Sequence, residues 1–328
     1  MDIVRIGRDD PEAFDSFMDL VGAVRLHDHP ENRPPVRRLL QVMATVPSPR
    51  FRHEVDVAFV DGRAVAAAKL MVNLGSNAHV ASAELIVHPD HRRRGIGSEL
   101  YGRLAARAVE QGCTILKATT HEQVPDGPRR GTAGRDFLVG RGFSRTLSIV
   151  QRRAPVPEEP GSPDTPPAYD LRSWTGAIPE EMLEPIALLD GMINTEMPTG
   201  RVKREAETYD VEAIRRQEDW RALTGSDIVQ TVAVHRATED VVANTVVFVP
   251  REDPAHVNQA ITIVRPDHRG RRLGTAVKRK NLRALKEAHP RARWIWTGNA
   301  DVNVHMNAVN AEFGFEPVDL RVEYARDL

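Results

Sequence analysis

Two stretches of this chain, VHPDHRRRGIG at 87–97 and VRPDHRGRRLG at 264–274, are near copies. At an offset of 177 residues they share Val, Pro, Asp, His, two Arg and the last Gly. A period as long as a domain means tandem duplication rather than a solenoid. A chain of 328 residues is long enough for two cores.

The flanking patterns repeat in the same order. In the first half DIVRI reads as a strand, and PEAFDSFMDLVGAVRL and VRRLLQVMATV read as helices from their apolar spacing. HEVDVAFV and RAVAAAKLMVNL form a hairpin around Asp61-Gly62, and VASAELIV is a strand running into the repeated phrase. A helix closed by Gly112, the strand TILKATT, the helix TAGRDFLVGRG and the strand FSRTLSIVQ follow. In the second half YDLRSW, PEEMLEPIALLDGM, DVEAIRRQEDWRALTG, DIVQTVAVH, VVANTVVFV and QAITIV lead into the second phrase. GTAVKRKNLRALKEA, RWIWTG, NVHMNAVNAEFG and DLRVEYA complete it. Each half predicts an α/β domain, a mixed sheet with helices on its faces. Between them, residues 152–168 carry prolines at 155, 157, 160, 163, 166 and 167, which deny both helix and sheet. The expected division is a domain at 1–152, a linker at 153–168 and a domain at 169–328.

A formal net charge of −1 provides no field toward nucleic acid, so basic clusters are read locally. KRKNLR at 278–283 reads as the wet face of an amphipathic helix. The single cysteine, Cys113, excludes an internal disulfide and reads as a small buried residue at a strand start. No signal-peptide pattern or membrane-length apolar run is seen, so a soluble, cytoplasmic protein is expected. No Cys/His cluster has metal spacing, and no metal is expected. His88, His91 and His268 read as phosphate-side donors or solvated residues.

Both phrases join the end of an apolar strand to the start of a helix. The first helical turn offers unpartnered N–H groups and a positive dipole end, and glycine lets an oxyanion approach. Flanking arginines add charge-assisted bonds, so the expected ligand is a phosphate or pyrophosphate. Arg92-x-x-Gly95-x-Gly97 resembles the pyrophosphate loop of the GNAT (GCN5-related) N-acetyltransferases, whose pattern is Q/R-x-x-G-x-G/A. GRGF at 140–143 and FGFEP at 313–317 resemble the Gly-Phe after that family's last helix. The resemblance covers both halves and implies two tandem GNAT-like acyl-CoA N-acyltransferase folds. It implies acetyl-CoA (coenzyme A) as cofactor, with Leu85, Ile86 and Val87 along the pantetheine. Arg92, Arg93, Arg94, Gly95, Ile96, Gly97 and Ser98 would hold the phosphates. The second set would be Ile263, Val264, Arg269, Gly270, Arg271, Arg272, Leu273, Gly274 and Thr275.

The copies differ where Arg272 replaces Gly95. If that position requires a positive φ, an arginine is strained there by about 1–2 kcal/mol and crowds the loop. If it is already helical, the arginine fits. Gly270, without an equivalent glycine in the first copy, would compensate in part. The first half is therefore the favoured acetyl-CoA site, and the second half either binds as well or is a structural copy.

Acetyl transfer in the family needs a base, often a carboxylate on the strand before the loop, and a proton donor for the thiolate. Glu84 is the candidate base, its pKa raised if it is half-buried, against the alternative of a solvent-facing residue. Ile261 stands opposite it in the second half. The family's tyrosine acid is replaced by Leu138 and Asn310; Asn310 remains a candidate hydrogen-bond donor to sulfur, and Asn303 resembles the asparagine that starts the last helix. His121-Glu122 reads as a satisfied loop pair near the substrate edge. The insert at 190–210 is an acceptor lid or a packed loop.

The implied activity is transfer of acetyl from acetyl-CoA to a small-molecule amine, with no nucleic acid or membrane partner, by a monomer or homodimer. The alternatives are a catalytically silent CoA-binding protein, acetylation of a protein amine, and mycothiol-synthase-like acetylation. The tandem layout resembles that last group, although the departures in the second half argue against equivalence.

Overall fold

The computed structural model describes all residues except 8, 9, 49, 126, 192–209, 301 and 302. The insert at 190–210 therefore lies almost wholly outside the described residues. The chain forms two compact units, the first made of Met1–Val150 with Val318–Leu328 and the second containing residues 151–191 and 210–317.

In the first unit the elements are β1 (Asp2–Arg5), α1 (Pro11–Asp28), α2 (Arg37–Thr45), β2 (Phe51–Val60), β3 (Arg63–Asn73) and β4 (Val80–Val87). Then come α3 (Ile96–Glu110), β5 (Ile115–Glu122), α4 (Ala133–Val139) and the start of β6 (Ser144–Pro155). The strand order is β1-β2-β3-β4-β5-β12-β6, where β12 (Glu316–Asp327) is the last strand of the chain. Asp10 caps α1 by accepting from the Ala13 N–H, and Pro11 occupies its first turn. Phe14, Phe17, Leu20 and Val24 of α1 pack on Val55, Val57, Ala64 and Ala67. On the other face, Ile96, Leu100, Leu104 and Ala108 of α3 cover Ala66, Ala68 and Leu70. The alanines of RAVAAAK keep both faces of β3 shallow, so the helices on either side lie close. Cys113 is buried in the same core, as expected.

The parallel pairing of β4 with β5 stops at Ala83↔Ala118, and beyond it residues 84–87 and 119–122 part. The β3–β4 register runs without a shift from Val72↔Ala81 to Ala66↔Val87.

In the second unit the elements are β7 (Tyr169–Thr175), α5 (Glu180–Gly191), α6 (Val211–Leu223), β8 (Ser226–His235), β9 (Val241–Pro250) and β10 (His256–Val264). They are followed by α7 (Leu273–Ala288), β11 (Trp294–Ala300) and α8 (Val304–Glu312). Residues 151–155 of β6 flank β11, and the order continues β10-β9-β8-β7. Here the parallel pair β10–β11 ends at Asn258↔Trp296, and a β-bulge between Gln259 and Ile261 re-aims the strand as it parts. Asn244 and Thr245 stand where the first half has Ala67 and Ala68, and both are buried. Their polar atoms are satisfied: Gln259 donates to Thr245, and Gln230 to Asn244, which donates to Asp190.

Two features depart from the linear division at 152 and 169. Residues 153–155, expected in the linker, are strand, with the Arg153 guanidinium 4.7 Å from the Trp294 ring centre. The last strand, expected in the second domain, pairs antiparallel with β5 of the first unit from Leu320↔Glu122 to Asp327↔Ile115.

Candidate functional site

The first loop begins as a single helical turn at Pro89–His91, with the His88 ring nitrogen accepting from the Asp90 N–H. Arg92, expected on the phosphates, points inward: its Nε donates to Val87 O at 3.0 Å and its two terminal nitrogens to Asp28 at 2.9 and 2.6 Å. It ties the loop to the end of α1. Burial would raise the Asp28 pKa, but the bonds from Arg92 and His27 outweigh it and lower it. Arg93 and Arg94 are exposed and have no hydrogen-bond or ion-pair partner among the described residues. Gly95 is the N-cap of α3, with φ 84°. A side chain at Gly97 would start 3.4 Å from Val87 and 3.7 Å from Leu85, so glycine lets the helix N-terminus lie close to the parted end of β4. Beside that terminus Arg141 donates to the Ser98 hydroxyl at 2.7 Å, its guanidinium stacked 3.5 Å from the Phe137 ring centre.

The second loop has the same backbone. Arg272 is the left-handed N-cap of α7 with φ 59°, so the position does require positive φ. Gly270 has φ 76° and is matched by Arg93, which has φ 61°. Each copy thus carries two left-handed residues, one glycine and one arginine, in opposite order. Gly270 does have an equivalent, and it is an arginine in the same conformation. Arg269 repeats the bond of Arg92, its Nε donating to Val264 O at 3.1 Å. The other arginines are committed to the protein. Arg271 donates to the Tyr169 hydroxyl at 2.7 Å, and Arg272 pairs with Glu312 at 3.3 Å. Thr275, the counterpart of Ser98, also donates to Glu312, at 3.5 Å. His268 is buried between Tyr169 and Arg265 rather than free for an anion, and burial lowers its pKa.

The expected catalytic residues fare unevenly. Glu84 sits where the strands begin to part, but its side chain is 65% exposed and pairs with Lys69 at 2.7 Å. It is not the half-buried carboxylate anticipated, because strand alternation turns it to water. Leu138 is core. Asn310 is 1% exposed, accepts from Lys278 Nζ at 2.6 Å and donates to Asn299 at 2.6 Å, so it is a buried link and not a presented donor. Lys278 is buried too, its ammonium 5.3 and 5.2 Å from the Phe313 and Phe315 rings, and burial lowers its pKa to about 7. The wet-face reading of 278–283 therefore fails at Lys278 and Asn281, which face the core. Asn303 caps α8 as expected, accepting from the Met306 N–H.

His121 and Glu122 are strand residues with separate partners. Glu122 accepts from Tyr324 at 2.7 Å, and burial with that bond raises the tyrosine pKa to about 12. His121 bonds Asp319 through Nδ1. His29, His121 and Asp319 bring ligand-capable atoms within 4.8 Å of one another, a grouping that sequence spacing missed. Its members come from the end of α1, the end of β5 and the start of β12, so no local motif signals it.

Parted parallel strands, a basic loop with two left-handed residues and a helix N-terminus recur in both units and define the GNAT type of acyltransferase fold. Residues 25–126, within the first unit, match the Acetyltransferase (GNAT) family. A tandem GNAT protein from the clavulanic acid biosynthesis pathway, solved without AcCoA, superposes at a TM-score of 0.87 with 29% identity, covering 99% of this chain and 98% of its own. A GCN5-related N-acetyltransferase from Sphaerobacter thermophilus shares the fold at TM-score 0.72 and 13% identity, over 99% and 95% of the two chains. The mycothiol acetyltransferase of Actinosynnema mirum is 26% identical over 258 residues, 74% of each chain. That of Parafrankia sp. is 35% identical over 115 residues, so the match spans 33% of that relative's length. The GNAT family match thus falls in the first unit, and the chain as a whole has the tandem GNAT fold. No helix among the described residues is long and apolar enough to cross a membrane.

Proposed function

We propose that the chain is an acetyl-CoA-dependent N-acetyltransferase acting on a small-molecule amine, with one acetyl-CoA per chain, held by the first unit. The observation that carries this reading is the charge at the two helix N-termini. In the first unit Arg93 and Arg94 are uncommitted and Arg141 adds a third cation at Ser98. In the second, the Glu312 carboxylate stands at the equivalent threonine and engages Arg272. A pyrophosphate is drawn to the first arrangement and repelled by the second.

The residues of the first unit fit the cofactor. Backbone N–H groups of 93–97 with Arg93 and Arg94 would hold the pyrophosphate, and Arg92 fixes the loop against Asp28. Leu85, Ile86 and Val87, on the part of β4 released from β5, line the pantetheine. When bound, acetyl-CoA supplies an activated acetyl thioester. The likeness to mycothiol acetyltransferases and to a tandem GNAT protein of clavulanic acid biosynthesis supports a small-molecule acceptor.

Calorimetry with CoA tests the assignment. One site per chain is expected, lost in Gly95→Glu and kept in Gly274→Glu. Two sites, or binding that survives Gly95→Glu, would overturn it. Acetyl transfer is followed as free thiol with a panel of primary amines; tight binding without thiol release from any of them would make the protein a silent CoA binder.

A further inference from the structure

We propose that His121, held by the buried Asp319, is the general base for acetyl transfer in the first unit; this rests on the reading of that unit as the acetyl-CoA site. His121 lies three residues beyond Ala118, the last residue of β5 paired to β4, on the stretch where the two strands part. Its ring packs on His29 at the end of α1, with centroids 4.3 Å apart. Its Nδ1 faces an oxygen of Asp319, whose side chain is fully buried at the start of β12.

Asp319 is held as an anion. Besides His121 it accepts from Arg130 Nε at 3.1 Å and Asn32 Nδ2 at 3.3 Å, and Arg130, its side chain 2% exposed, also pairs with Glu31. Burial alone would raise the Asp319 pKa, but these donors outweigh it and hold it at about 2. A buried carboxylate facing Nδ1 places the imidazole hydrogen there and leaves the Nε2 lone pair free. The His121 side chain is 32% exposed, so a substrate can reach it.

The groups facing His121 are His29 from α1, Glu31 beyond it, Arg130 from the segment after β5, and Asp319 from β12, with Arg321 as its register partner. Burial lowers the His29 pKa to about 4, so this ring stays neutral and adds no repelling charge to a protonated His121. A divalent ion among His29, His121 and Asp319 would have to take a carboxylate already committed to three donors and sit beside the Arg130 cation. The arrangement is therefore one of a histidine oriented by a carboxylate, and Asp319 is its positioning residue.

The acceptor is a primary amine that arrives as an ammonium. His121 Nε2 takes one of its protons, and the freed lone pair forms the C–N bond to the acetyl carbonyl carbon while the C–S bond breaks. The nitrogen's next proton passes to the thiolate sulfur, and His121 returns its own to water.

The test uses the full chain, with thiol release from acetyl-CoA and a panel of primary amines as the probe. His121→Gln is expected to lower kcat/KM about 10²–10⁴-fold while CoA affinity stays within about twofold. Added imidazole is expected to restore part of the loss in His121→Ala. Asp319→Asn is expected to lower kcat with little change in the KM for acetyl-CoA. In spectra of ¹⁵N-histidine-labelled protein, wild-type His121 is expected as the Nδ1–H tautomer and Asp319→Asn as a mixture. Wild-type thiol release and pH profile in His121→Gln would overturn the proposal. So would stoichiometric Zn²⁺ uptake that turnover requires and His121→Gln abolishes. CoA binding that survives Gly95→Glu sinks the parent reading instead.

Discussion

Gly95 and Arg272 occupy the same left-handed N-cap, with φ of 84° and 59°, and Arg93 and Gly270 share the other, with φ of 61° and 76°. An L-residue in that region is strained by about 1–2 kcal/mol, so each loop carries one strained arginine and one relaxed glycine. Arg272→Gly is expected to raise stability by about 1 kcal/mol, because the lost Arg272–Glu312 pair is solvated and contributes little. Gly95→Ala is expected to lower it by a similar amount. Urea midpoints of the two variants check this; a loss of stability in Arg272→Gly would mean that the surface pair outweighs the backbone strain. The loop was legible in the sequence because it is contiguous and glycine marks its turns. That Arg93 is left-handed was not, since arginine gives no sign of the φ it takes. Glu84 was placed on the correct strand, but the direction its side chain takes depends on which neighbours cover that face. Asp319 and His29 could not be found at all, since folding brings them to His121 from 198 and 92 residues away.

β12 shows the same limit for a whole element. Its alternation made a strand legible near 319–325, and duplication suggested that each half closes its own sheet. Instead it completes the first unit, pairing with β5 and burying Val322 and Tyr324 in the core that holds Leu100, Leu104 and Leu116. Periodicity identifies a strand, whereas its partner is set by which edge is open and which apolar face needs cover. The strand ends before the prolines from 157 onward, yet residues 153–155 of the expected linker continue β6, because strand pairing overrides composition and Pro155 stands at the strand's end. Residues 1–152 alone would leave the β5 edge unpaired and that core open. The fragment is expected to aggregate or give a poorly dispersed amide spectrum, and an added peptide of residues 316–328 is expected to restore dispersion. A well-dispersed spectrum from the fragment without the peptide would show β12 to be dispensable.

Across the whole chain the formal charges nearly cancel, at −1, so pH acts through individual buried groups rather than through general repulsion. In the first unit Asp319, held at about 2 by its donors, contributes stability that is full above the ordinary 3.8 and lost as pH falls through 2. The second unit carries two groups with the opposite effect. Burial raises the Asp190 pKa from 3.8 to about 6, so the folded state holds a proton that the unfolded chain has released, and stability falls across that interval. Burial lowers the Lys278 pKa from 10.5 to about 7. Between those values the unfolded chain holds the extra proton, and stability rises with pH, by at most roughly 1.4 kcal/mol per pH unit for one group. Both side chains are charged in the folded state together only between about 6 and 7, and there the second unit is expected to be least stable. Urea unfolding followed by the fluorescence of Trp174, Trp220, Trp294 and Trp296, all of this unit, is expected to show a midpoint lowest near neutrality and rising into alkali. Lys278→Met is expected to flatten the alkaline rise and Asp190→Asn the acid-side fall. A wild-type profile with its maximum at neutral pH would mean that water reaches both side chains and the burial argument fails.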